Sequence, residues 1–176
     1  MSSSAGGGAP SARTARWKRR SENPGPHRLR ARSRLARALL DAGQADEARA
    51  LAEAVLARGR ESNLRSAQTR ALHVLSRLAE QTGEHDRAVA LEQEAVHLVQ
   101  AGAAPLDGVL SIHHLGRLTG RADLLEEAAA RVRARLADLR DPELRRGYLA
   151  QRRVQAILAD AGPAAAGQPR PEKPDP

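Results

Sequence analysis

Cysteine and phenylalanine are absent from this chain of 176 residues, and tryptophan and tyrosine occur once each, as Trp17 and Tyr148. Without cysteine there is no disulfide and no thiolate metal site, and a reducing compartment is the simpler setting. A core of Leu, Ala and Val suits closely packed helices. It suits a β-sandwich badly, because strands favour aromatic and β-branched residues. No apolar run approaches the roughly 20 residues that span a bilayer, so a membrane partner is not expected. Met1 to Ala12 holds no apolar segment of the secretory kind, which makes the cytoplasm the expected location. Catalytic signatures are missing too. There is no Gly-rich phosphate loop ending in Gly-Lys-Ser/Thr, no His-Glu-x-x-His and no Gly-x-Ser-x-Gly, so neither an enzyme nor a bound cofactor is expected.

Lysine is scarce as well, occurring only as Lys18 and Lys173, while arginine is plentiful throughout. That skew is what a GC-rich genome produces. The formal charge of +8 is unevenly spread: residues 1–37 hold ten Lys or Arg against Glu22 alone, and the remainder sums to −1. The basicity therefore belongs to the amino-terminal arm and the first helical pattern, and the body is close to neutral.

What the chain does contain is a repeated punctuation. Gly43-Gln44-Ala45-Asp46 returns as Gly83-Glu84-His85-Asp86 and, more weakly, as Gly120-Arg121-Ala122-Asp123. The steps from Gly to Gly are 40 and 37 residues, the range of helical-hairpin repeats. Gly ends a helix in a left-handed turn, and the Asp three residues on caps the next helix or sits in its first turn.

Around these marks the apolar spacing is helical. Leu29, Ser33, Ala36 and Leu40, widened by Leu35 and Leu39, form the stripe of a first helix from about His27. A second carries Ala48, Leu51, Ala52, Val55 and Leu56 and frays near Gly59. Ser62 or Asn63 is the expected cap of a third, through Leu64 to Leu78. A fourth carries Ala88 to Val99, a fifth spans about Leu106 to Thr119, and a sixth carries Leu125, Ala129, Val132, Leu136 and Leu139. Asp141-Pro142-Glu143 is a strong start signal for a seventh, running to about Ala161. The expected architecture is all-α, without strands. The expected organisation is a disordered basic arm over residues 1–26, a helical-repeat domain over 27–161, and a disordered Pro-rich tail over 162–176.

Set on the Gly positions, the first two repeats resemble tetratricopeptide repeats. The family's small residue seven before the Gly is Ala36 and Ser76 here, and its Ala five after is Ala48 and Ala88. In the third copy His113 and Leu125 stand at those positions, and the family's bulky aromatics are absent throughout. The resemblance covers about residues 28–140. It implies a right-handed α-solenoid of about three hairpins plus a closing helix, acting as a protein–protein interaction module or adaptor. Residues 136–161 look like the end of the helical-repeat regions in large bacterial signalling proteins. That likeness implies a role in bacterial regulation, either as a stand-alone adaptor or as a relic of a longer ancestor.

Three groups of residues are candidates for chemistry. The six His do not gather: His113 and His114 point about 100° apart on a helix, and His73, His85 and His97 fall on different elements or ends, so surface or groove-lining His is expected and metal ligation is not. Glu126-Glu127 reads as support for a first helical turn. The basic arm around Arg16, Trp17, Lys18, Arg19 and Arg20 is either a solvated tail or a nucleic-acid contact, with arginine on phosphates and Trp17 stacked on a base. In the tetratricopeptide family the first helix of each pair lines the concave groove. That implies a groove of Arg30, Arg37, Arg70, His73, Arg77, His114 and Arg117, suited to an acidic peptide or a carboxylate through bidentate contacts. The Asn and Lys of the family's carboxylate-clamp variant are not reproduced.

Overall fold

The computed structural model describes residues 25–102 and 105–162. Among them the chain forms eight helices and no strand: α1 (Pro26–Asp41), α2 (Ala45–Glu61), α3 (Arg65–Gln81), α4 (His85–Gln100), α5 (Pro105–Thr119), α6 (Ala122–Asp138), α7 (Pro142–Leu149) and α8 (Arg152–Asp160). The expected all-α solenoid is what forms. The expected basic arm and Pro-rich tail lie almost entirely outside the described residues.

Each helix from α1 to α6 packs on its successor, and α1 also packs on α3, and α3 on α5. This divides the molecule into an inner layer of α1, α3 and α5 and an outer layer of α2, α4 and α6. At the carboxyl-terminal end α8 packs on α6 and α7 packs on α8, closing the stack. One core cluster includes Leu29, Ala36, Val55, Leu72 and Leu78, and a second includes Val99, Ile112, Val132, Val154 and Ile157. Helix α3 has neighbours on most sides and buries 12 of its 17 residues.

The repeated Gly does what its position requires. Gly43, Gly83 and Gly120 adopt φ of 78°, 79° and 67°. The next residue's N–H then reaches a carbonyl five back: Gln44 to Leu39 at 2.9 Å, Glu84 to Ala79 at 2.8 Å, and Arg121 to Gly116 at 3.0 Å. Asn63, with φ 50°, closes α2 in the same way, and Leu64 N–H bonds to Gly59 O at 2.8 Å. This corrects the expected capping of the third helix. Ser62 Oγ donates back to Arg58 O at 2.7 Å, so both residues finish α2, which runs through Gly59 to Glu61. Asp46 makes no capping bond and contributes as a first-turn acid. Asp141 does cap, its Oδ1 accepting from Glu143 N at 2.8 Å and Leu144 N at 3.2 Å.

Other expectations are corrected. The seventh helix is two helices, because the chain turns at Ala150–Gln151 to aim Val154 and Ile157 at the core while α7 buries none of its residues. Leu35 is 52% exposed and lies off the α1 stripe. Glu126 and Glu127 lie beyond the first turn of α6, paired with Arg133 at 2.7 Å and Arg131 at 2.8 Å, and the first-turn acid is Asp123.

Candidate interaction surface

The repeat register locates the inner surface. Ten residues before each Gly stand Ser33, His73 and Leu110, and all three line one small recess on the inner layer. Arg34 and Arg37 from α1 and Arg70 from α3 complete its walls. Helical spacing of three puts Arg34 and Arg37 on one face of α1, and the contact of α1 with α3 brings Arg70 across to them. Ser33 is fully buried. Its Oγ donates to Arg30 O at 2.8 Å and accepts from Arg70 Nη1 at 3.4 Å.

Behind the recess lies a buried polar cluster. His73 is 8% exposed and shares a 2.6 Å hydrogen bond, Nδ1 to Oε1, with the fully buried Glu92 of α4. The His114 ring from α5 meets the His73 ring edge to face, with centroids 5.5 Å apart. Glu80 Oε2 stands 3.6 Å from His114 Nε2, beyond hydrogen-bond range. Among the described residues, Glu92 Oε2 and His114 Nε2 have no hydrogen-bond partner. Burial pushes His114 down to about 4, so its imidazole is neutral near pH 7. These histidines were expected on the surface or along the groove; His73, His113 and His114 are all buried.

Of the residues expected along the groove, Arg37, Arg70 and His73 come together in the recess, and His114 sits beneath it against His73. Arg30 is exposed on α1. Arg77, six before Gly83, reaches Asp41 at the end of α1 at 3.3 Å. Arg117 faces the other end, its Nε 3.9 Å from Asp160 of α8. The same Asp160 holds His113 Nε2 at 2.9 Å, which explains a bulky imidazole where the other repeats have Ala36 and Ser76. The His113 imidazole is lowered, chiefly by burial, against the opposing pull of Asp160. Leu125, in place of a repeat Ala, is accommodated by Gly116, where an added Cβ would lie 2.9 Å from Leu125 Cδ2.

Sequence reasoning missed Arg34 as a wall of the recess and Glu92 as the partner of His73. A signal for Glu92 existed. Nine residues after each Gly stand Ala52, Glu92 and Ala129, and a Glu at a position otherwise filled by buried Ala requires a polar partner.

The layers differ in charge. The inner helices carry nine Arg against Asp41, Glu80 and Asp107, a net +6. The outer helices carry eleven Asp or Glu against seven Arg, a net −4. The basic cluster from Arg16 to Arg20 lies outside the described residues. No three His, Asp or Glu among the described residues are grouped so as to hold a metal ion, and no described helix is long and apolar enough to cross a membrane.

The model of the tetratricopeptide repeat family matches residues 21–71, which takes in α1, α2 and the start of α3. The chain is a tetratricopeptide-like helical-repeat protein. No curated protein and no solved structure matches it. Tetratricopeptide repeats generally mediate protein–protein interaction, and the family is typically non-catalytic. In this tetratricopeptide-like stack α1, α3 and α5 are the first helix of each pair.

Proposed function

We propose that this tetratricopeptide-like chain is an interaction adaptor that takes an acidic segment of a partner protein along its inner layer. The setting we propose is the cytoplasm and bacterial regulation, without catalysis by the chain itself. The observation that carries the reading is the charge division, +6 on the inner helices against −4 on the outer ones. Like charge on one layer steers an oppositely charged segment towards it and repels it from the other. Arginine forks then bind carboxylates with two parallel bonds each.

The test uses the full chain with fluorescent peptide libraries rich in Glu and Asp, against matched libraries rich in Lys. Acidic peptides are expected to bind with an affinity that falls as salt rises. The double variant Arg34→Glu/Arg37→Glu is expected to weaken that binding by about tenfold or more, with an unchanged helical circular dichroism spectrum. Equal binding of acidic and basic libraries, or a double variant that binds like the wild type, would sink the reading.

A further inference from the structure

We propose that the free face of α1 is a docking surface for double-stranded nucleic acid, held through its two phosphate backbones. Helix α1 stands at one end of the described stack, packed on α2 and α3. Its buried residues Leu29, Ser33, Ala36 and Leu40 form one stripe, and the opposite face is exposed. Four arginines lie on the exposed part: Arg28, Arg30, Arg32 and Arg34. At about 100° per residue, Arg28 and Arg32 form one row and Arg30 and Arg34 a second, about 160° apart across the free face. Ala31, Leu35 and Ala38, all exposed, lie between the rows.

These four side chains are not used within the described structure. Among the described residues none of them makes an ion pair or a side-chain hydrogen bond. On the outer helices, by contrast, five of the seven arginines pair with Glu at 2.7–2.8 Å. The only acid of α1 is Asp41, its last residue, which faces Arg77 at 3.3 Å. The same sign continues along the sequence: residues 1–37 hold ten Lys or Arg against Glu22, while the rest sums to −1. A cationic stripe along one helix of an otherwise neutral chain is the electrostatic footprint of a polyanion.

The two rows distinguish one polyanion from another. An extended acidic peptide or a single strand lies along one row and leaves the other in water. The major groove of a duplex is about 12 Å wide, close to the diameter of a helix with its side chains, and is flanked by a phosphate backbone on each side. Seated there, α1 presents Arg28 and Arg32 to one strand and Arg30 and Arg34 to the other. Ala31 and Ala38 let the helix approach the floor of the groove. With Leu35 they offer no side-chain donor or acceptor, so base edges are not read by hydrogen bonds and binding is independent of sequence. A flat lipid surface would meet the middle of the face, where Leu35 is the one large apolar side chain. Arg28 and Arg32 do not line the recess of the inner layer, so this surface and the acidic-peptide reading fail separately.

The test is fluorescence anisotropy of the full chain with a labelled DNA duplex of about 20 base pairs, roughly two helical turns. The comparison probes are one strand of that duplex, a poly-glutamate peptide and phosphatidylglycerol vesicles. The duplex is expected to bind more tightly than any of them, equally in two unrelated sequences, with log affinity falling linearly in log salt. Arg28→Gln/Arg32→Gln and Arg30→Gln/Arg34→Gln are each expected to weaken duplex binding about tenfold and to lower the salt slope by about two. Helical circular dichroism is expected to stay unchanged in both, and the first is expected to leave poly-glutamate binding as it is. No duplex binding, or vesicles preferred to the duplex, would overturn the proposal and leave the acidic-peptide reading standing. Equal affinity for the single strand, or loss from only one of the two pairs, would overturn the two-row docking. Duplex binding that survives both pairs but disappears in Arg16→Gln/Lys18→Gln/Arg19→Gln/Arg20→Gln would overturn the assignment to α1.

Discussion

The inner helices and the outer helices are nearly the same length, 15–17 residues each, and both are rich in Ala and Leu. They treat polar groups in opposite ways. Of the ten buried polar residues among those described, nine lie on α1, α3 or α5, and Glu92 of α4 is the exception. The reason is the number of neighbours. An inner helix is covered by its own hairpin partner, the preceding outer helix and the adjacent inner helices, so even its polar positions are enclosed. An outer helix has one covered side, and its charged residues remain in water. The inner layer therefore holds both exposed arginines and a buried polar interior, whereas the outer layer is mostly solvated surface over an Ala-lined seam.

The largest expected effect comes from the one outer residue that breaks this division. Glu92→Ala is expected to cost about 3 kcal/mol, because it leaves the His73 imidazole buried without the group that holds it. The double variant His73→Leu/Glu92→Ala copies the third repeat, where Leu110 and Ala129 occupy the same register. It is expected to cost less than Glu92→Ala alone, since both polar partners go together and only the smaller volume of Ala against Glu remains as a cost. Urea denaturation measures both. A single variant costing less than its double would show that the pair does not act as a unit.

A second effect tests the enclosure of the inner layer by pH. Burial lowers His113, and lowers His114 to about 4, whereas in the unfolded chain both titrate near the ordinary 6.5. The folded state resists protonation that the unfolded state accepts. The stability linked to their neutral forms is therefore complete above pH 6.5 and is lost as the pH falls towards 4. The urea midpoint is expected to drop across that window. In His114→Phe, which keeps a ring against His73, part of the drop is expected to disappear. If the variant followed the wild-type curve throughout, His114 would not be its source.

Much of the stack was legible because Gly43, Gly83 and Gly120 announce their own backbone conformation, and because Ala36, Ala48, Ser76 and Ala88 mark the seams around them. Burial of the histidines was not legible. Periodicity shows which face of one helix is apolar, and says nothing of the second and third neighbours that cover His73 or His114. Asn63 was misread because Ser and Asn favour helix starts, yet Asn also tolerates the left-handed turn that ends α2. The break between α7 and α8 has no Gly or Pro at Ala150–Gln151; it follows from where Val154 and Ile157 must pack. Arg37, Arg70 and His73 came from the repeat register read together with the tetratricopeptide resemblance. Arg34 did not, because its counterpart in the second repeat is the core residue Val74.

The smallest expected effect sharpens the contrast within one helix. Glu94 lies two residues from Glu92 on α4, but its side chain is 41% exposed and pairs with Arg60 of α2 at 2.7 Å, whereas that of Glu92 is wholly buried. Neighbours two apart on a helix face different sides, so the same residue type meets water in one case and His73 in the other. Glu94→Gln removes a pair whose attraction is screened by solvent and offset by the entropy of two long side chains. It is expected to change stability by less than about 0.5 kcal/mol, and to leave acidic-peptide binding unchanged. The Arg60–Glu94 pair joins α2 to α4, which otherwise meet mainly through α3. A loss above about 1 kcal/mol would mean that the outer layer braces the stack through its own charges, and the division between a working inner layer and a solvated outer one would have to be redrawn.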